Sequence, residues 1–312
     1  MARIRKAVII GLVLLVVAAF GASAQAKVKA AFICQNMANE SQAFSEKQFV
    51  KYGPEYGLDV YTFDAKGDSQ VESQLVMNCI AQKFKVIFLN PNDINAIVPS
   101  LMQAKRAGLI VGMFSSDLSP ANQKYRDFYA GSNDVFAGKQ AAEAFMKHFP
   151  NGAKIVEIGG QAGHDAQIKR HDGFHSVIDS SNIKVIDYKA CQQWSTEQAM
   201  AIMEDDIVKY GHEIQGVFVH WDNGATGVIQ AAKAADLKGL YIIGIDGNRA
   251  GYNQVLSGEQ AVSISQDFVA MAKKDMELAQ KVVKGQQVDP INYIPLNVID
   301  KSTIKNFPVP QW

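Results

Sequence analysis

Residues 134–158 read DVFAGKQAAEAFMKHFPNGAKIVEI, and this stretch decides the fold. Val135, Ala141, Ala142, Phe145, Met146 and Phe149 recur at three- and four-residue steps, which lines one face of a helix, so the spacing predicts a helix over Asp134–His148. Ile155–Ile158 follows as a short apolar run of strand length. The same switch recurs outward in both directions. Ala30–Cys34, Val86–Leu89, Leu109–Phe114, Gly216–Val219 and Leu240–Ile245 are continuous apolar runs, the pattern of strands buried on both faces. Between them Ser69–Lys83, Ser195–Tyr210 and Phe268–Lys284 show helical spacing. Strands alternating with helices build parallel sheets through right-handed crossovers.

The alternation runs through two full sets, and 312 residues are awkward to arrange around one core. The expected fold is therefore α/β, with two doubly wound parallel-sheet lobes. No Pro-, Gly- or Ser-rich linker separates them, so the hinge is expected to consist of several short crossings. The N-terminal lobe is assigned to 27–131 plus about 267–295, and the C-terminal lobe to 132–266 plus about 296–312. The tail bearing Pro290, Pro295, Pro308 and Pro310 reads as extended structure finishing on the surface.

Residues 1–26 are set apart from the fold. Arg3, Arg5 and Lys6 precede an uncharged stretch from Ala7 to Ala26, and Ala24 and Ala26 flank Gln25 as small residues flank a cleavage site. This is the pattern of a secretory signal peptide, and its apolar part is too short for a membrane span. The chain as a whole is 48% hydrophobic and 20% charged, with 31 basic and 31 acidic residues. Without the leader, 28 basic residues face 31 acidic ones, a formal charge of −3 that gives nucleic acid nothing to bind. Cys34, Cys79 and Cys191 are odd in number and sit among apolar residues, so they read as buried small hydrophobes.

Ligands in open parallel sheets bind beyond the carboxyl ends of the strands. Those ends carry Asn39, Asn90, Ser115, the Gly159–Asp165 loop, Trp194, His220, Trp221, Asp222, Asp246 and Gln266. Amides, carboxylates and indoles together suit a polyhydroxylated guest, whose hydroxyls both donate and accept while its CH faces pack on rings. The competing readings are core packing for the tryptophans, capping for Asp246 and a solvated position for Arg170.

Enzyme signatures are missing. The glycines at 159, 160 and 163 and at 244, 247 and 251 do not make G-x-G-x-x-G, no Walker lysine follows a glycine loop, and no G-x-S-x-G elbow occurs. No catalytic residue and no cofactor are expected. His171 and His175 are four apart and could share a helix face, but no cysteine completes a zinc set, and no metal site is expected.

Taken in order, several motifs resemble those of the type I periplasmic sugar-binding proteins that feed ABC importers. They are Phe88-Leu89-Asn90-Pro91-Asn92-Asp93, Tyr129-Ala130-Gly131-Ser132-Asn133, Val156-Glu157-Ile158-Gly159-Gly160 with Arg170 and Gly173-Phe174, Trp194, Val217-Phe218 before Asp222, Gly244-Ile245-Asp246-Gly247 and Ser263-Ile264-Ser265-Gln266. The resemblance covers nearly all of the chain after the leader. It implies ligand contacts from Asn90, Arg170, Trp194, Asp246 and Gln266, with Asn39, Gln42, Ser115, Trp221 and Asp222 beside them.

The resemblance also has departures. Where the family often has an asparagine followed by two aromatics, this chain reads Asn39-Glu40-Ser41-Gln42; an Asp-Arg pair of ribose-binding members falls on Ser115-Ser116; and their second-lobe asparagine falls on Trp221. These changes imply a sugar or polyol other than ribose. The implied protein is a periplasmic monomer that delivers its ligand to an ABC permease. The alternative is a receptor component engaging a chemoreceptor or sensor kinase.

Overall fold

The computed structural model describes residues 27–312, and the expected signal peptide lies outside the described residues. The first half of the chain forms β1 (Val28–Cys34), α1 (Glu40–Tyr52), β2 (Leu58–Asp64), α2 (Ser69–Ala81), β3 (Val86–Leu89), α3 (Val98–Arg106), β4 (Ile110–Phe114) and β5 (Phe128–Ser132). The second half forms α4 (Asp134–His148), β6 (Lys154–Gln161), α5 (Asp165–Ile178), β7 (Lys184–Cys191), α6 (Thr196–Tyr210), β8 (Gly216–Val219), α7 (Asp222–Ala234), β9 (Tyr241–Asp246), α8 (Arg249–Ser257) and β10 (Val262–Ser265). The chain ends with α9 (Phe268–Val283), β11 (Ile291–Ile294) and β12 (Asn297–Asp300).

Two six-stranded sheets result, ordered β11-β5-β4-β3-β1-β2 and β12-β10-β9-β8-β6-β7. Every pairing is parallel except that of β10 with β12. The protein is thus a two-lobed α/β molecule in which each sheet is doubly wound. The inner strands β3, β4 and β8 are buried along their whole length, because helices cover both faces, and this is why they read as unbroken apolar runs. The strands β2 and β7, at the sheet edges, are half-exposed or exposed except for Leu58 and Cys191, so polar residues interrupt them and they carry no continuous apolar run.

The chain passes between lobes more than once. Strand β5 lies in the first sheet while α4 packs on α5 of the second lobe; β10 lies in the second sheet while α9 packs on α1, β4 and β5; β11 pairs with β5, and β12 with β10. Helix α9 seals the first lobe with Met271, Ala272, Met276 and Ala279, all buried. Cys34, Cys79 and Cys191 are buried and free.

Candidate ligand-binding cleft

The carboxyl ends of the two sheets' strands converge on a cavity of about 400 Å³ between the lobes, within the usual span of ligand pockets, about 300–1,000 Å³. The first lobe lines it with Asn39 and Gln42 at the start of α1, Asn90 just beyond β3 and Ser115 just beyond β4. The second lobe brings Arg170 on α5, Trp194 ahead of α6, Trp221 ahead of α7 and Asp246 at the end of β9, and Gln266 follows β10 at the junction.

Asp222 is the exception. Its carboxylate turns into the second lobe, where Oδ2 accepts from Ser263 Oγ (2.6 Å) and Gly247 N (2.8 Å), and Oδ1 accepts from Gln260 Nε2 (2.7 Å). Consecutive residues at a helix start diverge by about 100°, so Trp221 faces the cleft and Asp222 does not. Its role is to hold the Asp246-Gly247 turn from behind.

Two wall residues carry strained backbone. Asp246 has φ +139° and Ser115 φ +62°, regions that side chains other than glycine rarely occupy. Burial, reinforced by the nearby Asp222 carboxylate, pushes Asp246 up to about 8, and its Oδ1 accepts from Gln266 Nε2 at 2.9 Å. Arg170 is held from both sides: Nε donates to Asp134 Oδ1 at 2.7 Å, and Nη1 donates to the His220 carbonyl. Its guanidinium lies 5.6 Å from the Trp194 ring centre. The cation is therefore locked in place before any ligand arrives.

Trp194 and Trp221 meet edge to face, 5.4 Å between centroids at 87°, and form a corner of the cleft. Each indole lies on a glycine. A Cβ at Gly160 would overlap the six-membered ring of Trp194, and one at Gly224 would stand 2.6 Å from Trp221. Gly160→Ala should therefore push Trp194 off its wall. The expected result is a changed tryptophan emission spectrum and at least tenfold weaker ligand binding, about 1.4 kcal/mol, with the fold intact by circular dichroism. An unchanged affinity would show that the indole has room to spare.

Three buried side-chain atoms of wall residues lack partners among the described residues: Trp221 Nε1, Gln42 Oε1 and Gln266 Oε1. Such unpaired groups cost about 1–3 kcal/mol each. Asn39 is less free, because its Oδ1 accepts from Ser41 N (3.1 Å) and Ser41 Oγ (2.8 Å) as the cap of α1.

The lobes also touch directly. Gln35 Nε2 donates to Gln161 Oε1 (2.6 Å), Gln161 Nε2 to the Asn92 carbonyl (3.2 Å), Asp117 N to Asp165 Oδ2 (2.9 Å) and Asn223 Nδ2 to Glu40 Oε2 (3.2 Å). His164 reaches Asn90 Oδ1 and Ser116 Oγ, each at 3.2 Å. Burial, with Arg170 and Lys169 adding to it, lowers His164 to about 3, so the ring is neutral.

Gln35, Gln161, Phe268 and Trp312 line the cleft without having been picked out as contacts from the sequence. Trp312 adds a contact with the first lobe to a tail that runs extended along the surface of the second. Its backbone O accepts from Arg249 N of the second lobe (2.5 Å), while its ring stacks on Phe44 (5.7 Å) and meets Phe268 edge-on (5.0 Å), both in the first lobe. The partners lie far away in sequence, and only a terminal aromatic after two prolines hinted at them.

Glu72 on α2 supports the Asn90 loop from beneath, its two carboxylate oxygens accepting from Asn92 N at 3.1 and 3.2 Å. Burial pushes this carboxyl up to about 8, above its unfolded value of about 4.3. The native state therefore holds the extra proton, and stability should fall as pH rises from about 4 to about 8. Glu72→Gln should flatten that decline in a comparison of melting temperatures across the window. Identical slopes for the two proteins would remove Glu72 as its source.

The sequence profile of the family described as Periplasmic binding protein domain matches residues 30–287. The chain belongs to that family. Among its relatives, the ribose import binding protein RbsB of Bacillus subtilis is 27% identical over 254 residues, 81% of each chain. A crystal structure of a galactofuranose binding protein superposes with a TM-score of 0.84 at 22% identity, covering 89% of this chain and 96% of that one. An ABC transporter solute binding protein from Bacillus halodurans with bound myo-inositol superposes with a TM-score of 0.84 at 21% identity, covering 90% of this chain and 96% of that one. By that membership the chain is a periplasmic binding protein.

Proposed function

We propose that this protein is exported to the periplasm, captures one uncharged sugar or polyol between its lobes, and delivers it to an ABC importer. The observation that carries the reading is the make-up of the cleft wall: the Trp194–Trp221 indole corner stands beside the amide, hydroxyl and carboxyl side chains of Asn90, Ser115, Asp246 and Gln266. A hydroxyl can pair with any of these polar groups, since it donates and accepts at once, and the CH faces of a sugar can pack on the indoles. Charge argues the same way. Arg170 is already neutralised by Asp134, and Asp246 is held up near neutrality, so neither an anion nor a cation finds an unpaired counter-charge.

Contacts with both lobes would make the closed arrangement the one the ligand favours. Relatives that bind a furanose or a cyclitol, together with Ser115-Ser116 where ribose-binding members carry a charged pair, favour a furanose, hexose or cyclitol over ribose. A thermal-shift screen of the protein lacking residues 1–26 against pentoses, hexoses, furanoses and cyclitols tests this. The ligand at 100 times its dissociation constant should stabilise the fold by about 2.7 kcal/mol. Stabilisation by charged amino acids or organic acids alone would overturn the proposal.

A further inference from the structure

The structure assigns a second binding site, independent of the sugar reading: we infer that Glu157, His171 and His175 form a site for one divalent transition-metal ion of the zinc class. Glu157 on β6 is buried, whereas His171 and His175 stand one turn apart on α5 and are each about a quarter exposed. Nδ1 of His171 lies 3.0 Å from Glu157 Oε1, and Nε2 of His175 lies 2.9 Å from Oε2. One ligand atom from each of the three fits within a span of 4.8 Å. Tetrahedral zinc with bonds of about 2.0–2.2 Å needs its ligand atoms about 3.4 Å apart, so small side-chain rotations would open the space.

The surroundings are those of a supported site. His175 Nδ1 is 2.8 Å from Asp179 Oδ1, and a proton on Nδ1 leaves Nε2 as the ring's metal-facing atom. This is the carboxylate–histidine arrangement that orients metal-bound imidazoles. His220 Nε2, fully buried, donates to Glu157 Oε1 at 2.9 Å and fixes the carboxylate. His171 stacks on Tyr188 at 4.3 Å, which restricts its ring.

Two bare ring nitrogens cannot face a carboxylate this closely. Something positive must lie between, and it is either protons or a metal ion. A coordinating imidazole nitrogen carries no proton, so zinc binding at this cluster weakens as pH falls. Two imidazoles and one carboxylate suit zinc, copper or nickel better than magnesium or calcium. The exposed sides of the imidazoles leave a fourth position to water.

Isothermal titration of the untagged protein lacking residues 1–26, stripped with chelator, would use zinc chloride as the probe and magnesium chloride as the control. The expected result is one zinc per chain at this cluster, no magnesium binding, and at least tenfold weaker zinc binding in both His171→Gln and His175→Gln. Both substitutions are on a half-exposed helix face, and circular dichroism would verify that the variants are folded. Absence of zinc binding to the parent protein, or undiminished binding in either variant, overturns the proposal and leaves the cluster an ion-pair network.

Discussion

Arg170→Ala is expected to cost the fold about 3–5 kcal/mol, the largest stability loss predicted for any side chain of the cleft. Arg170 and Asp134 are both almost wholly buried, and one oxygen of Asp134 already lacks a partner. Removing the guanidinium would strand the carboxylate in the lobe interior and deprive the His220 carbonyl of its donor. Urea titration should show a lower midpoint. Truncating both partners in an Arg170→Ala, Asp134→Ala double variant should restore part of the loss, because no charge is then left unpaired. Lysine would be a poor substitute, since one ammonium cannot reproduce the planar fork that reaches both acceptors. If Arg170→Ala unfolds within about 1 kcal/mol of the parent, the pair is not a structural support of the cleft.

Asp246→Ala should act the other way round, on the ligand and not on the fold. Its carboxyl is buried, at a cost, beside Asp222 with an amide as its side-chain partner, so removing it takes an unfavourably buried polar group out of the empty protein. The melting temperature without ligand should stay the same or rise. Affinity for the sugar or polyol found by screening should fall at least tenfold, about 1.4 kcal/mol, since a guest hydroxyl loses a strong acceptor. Calorimetry is the measurement. Equal affinity would place Asp246 outside the ligand's reach despite its position on the wall, and would make its strained backbone a matter of the turn alone.

These predictions differ in how far the sequence supported them. The helix over Asp134–His148 and the strands Val86–Leu89 and Gly216–Val219 were legible to the residue, because burial on one helix face or on both sheet faces imposes a local period. Asn90, Ser115, Trp194, Trp221, Asp246 and Gln266 were legible as strand-end residues, and they do line the cleft. Position at a strand end says nothing about which way a side chain turns. Asp222 and Asp246 looked alike in sequence, yet one is consumed by Ser263, Gln260 and Gly247 and the other faces the cavity.

By itself, then, the sequence determined the α/β class, the two sets of strands and helices, and the loops from which a site would be built. Those follow from hydrophobic period and chain order, which are local quantities. Only the tertiary structure decided that Trp312 folds back onto Phe44 and Phe268, that Asp134 locks Arg170, and that Glu157 collects His171, His175 and His220. Each of these pairings joins residues brought together by sheet order and helix packing. Their strength comes from burial, which a linear pattern does not encode.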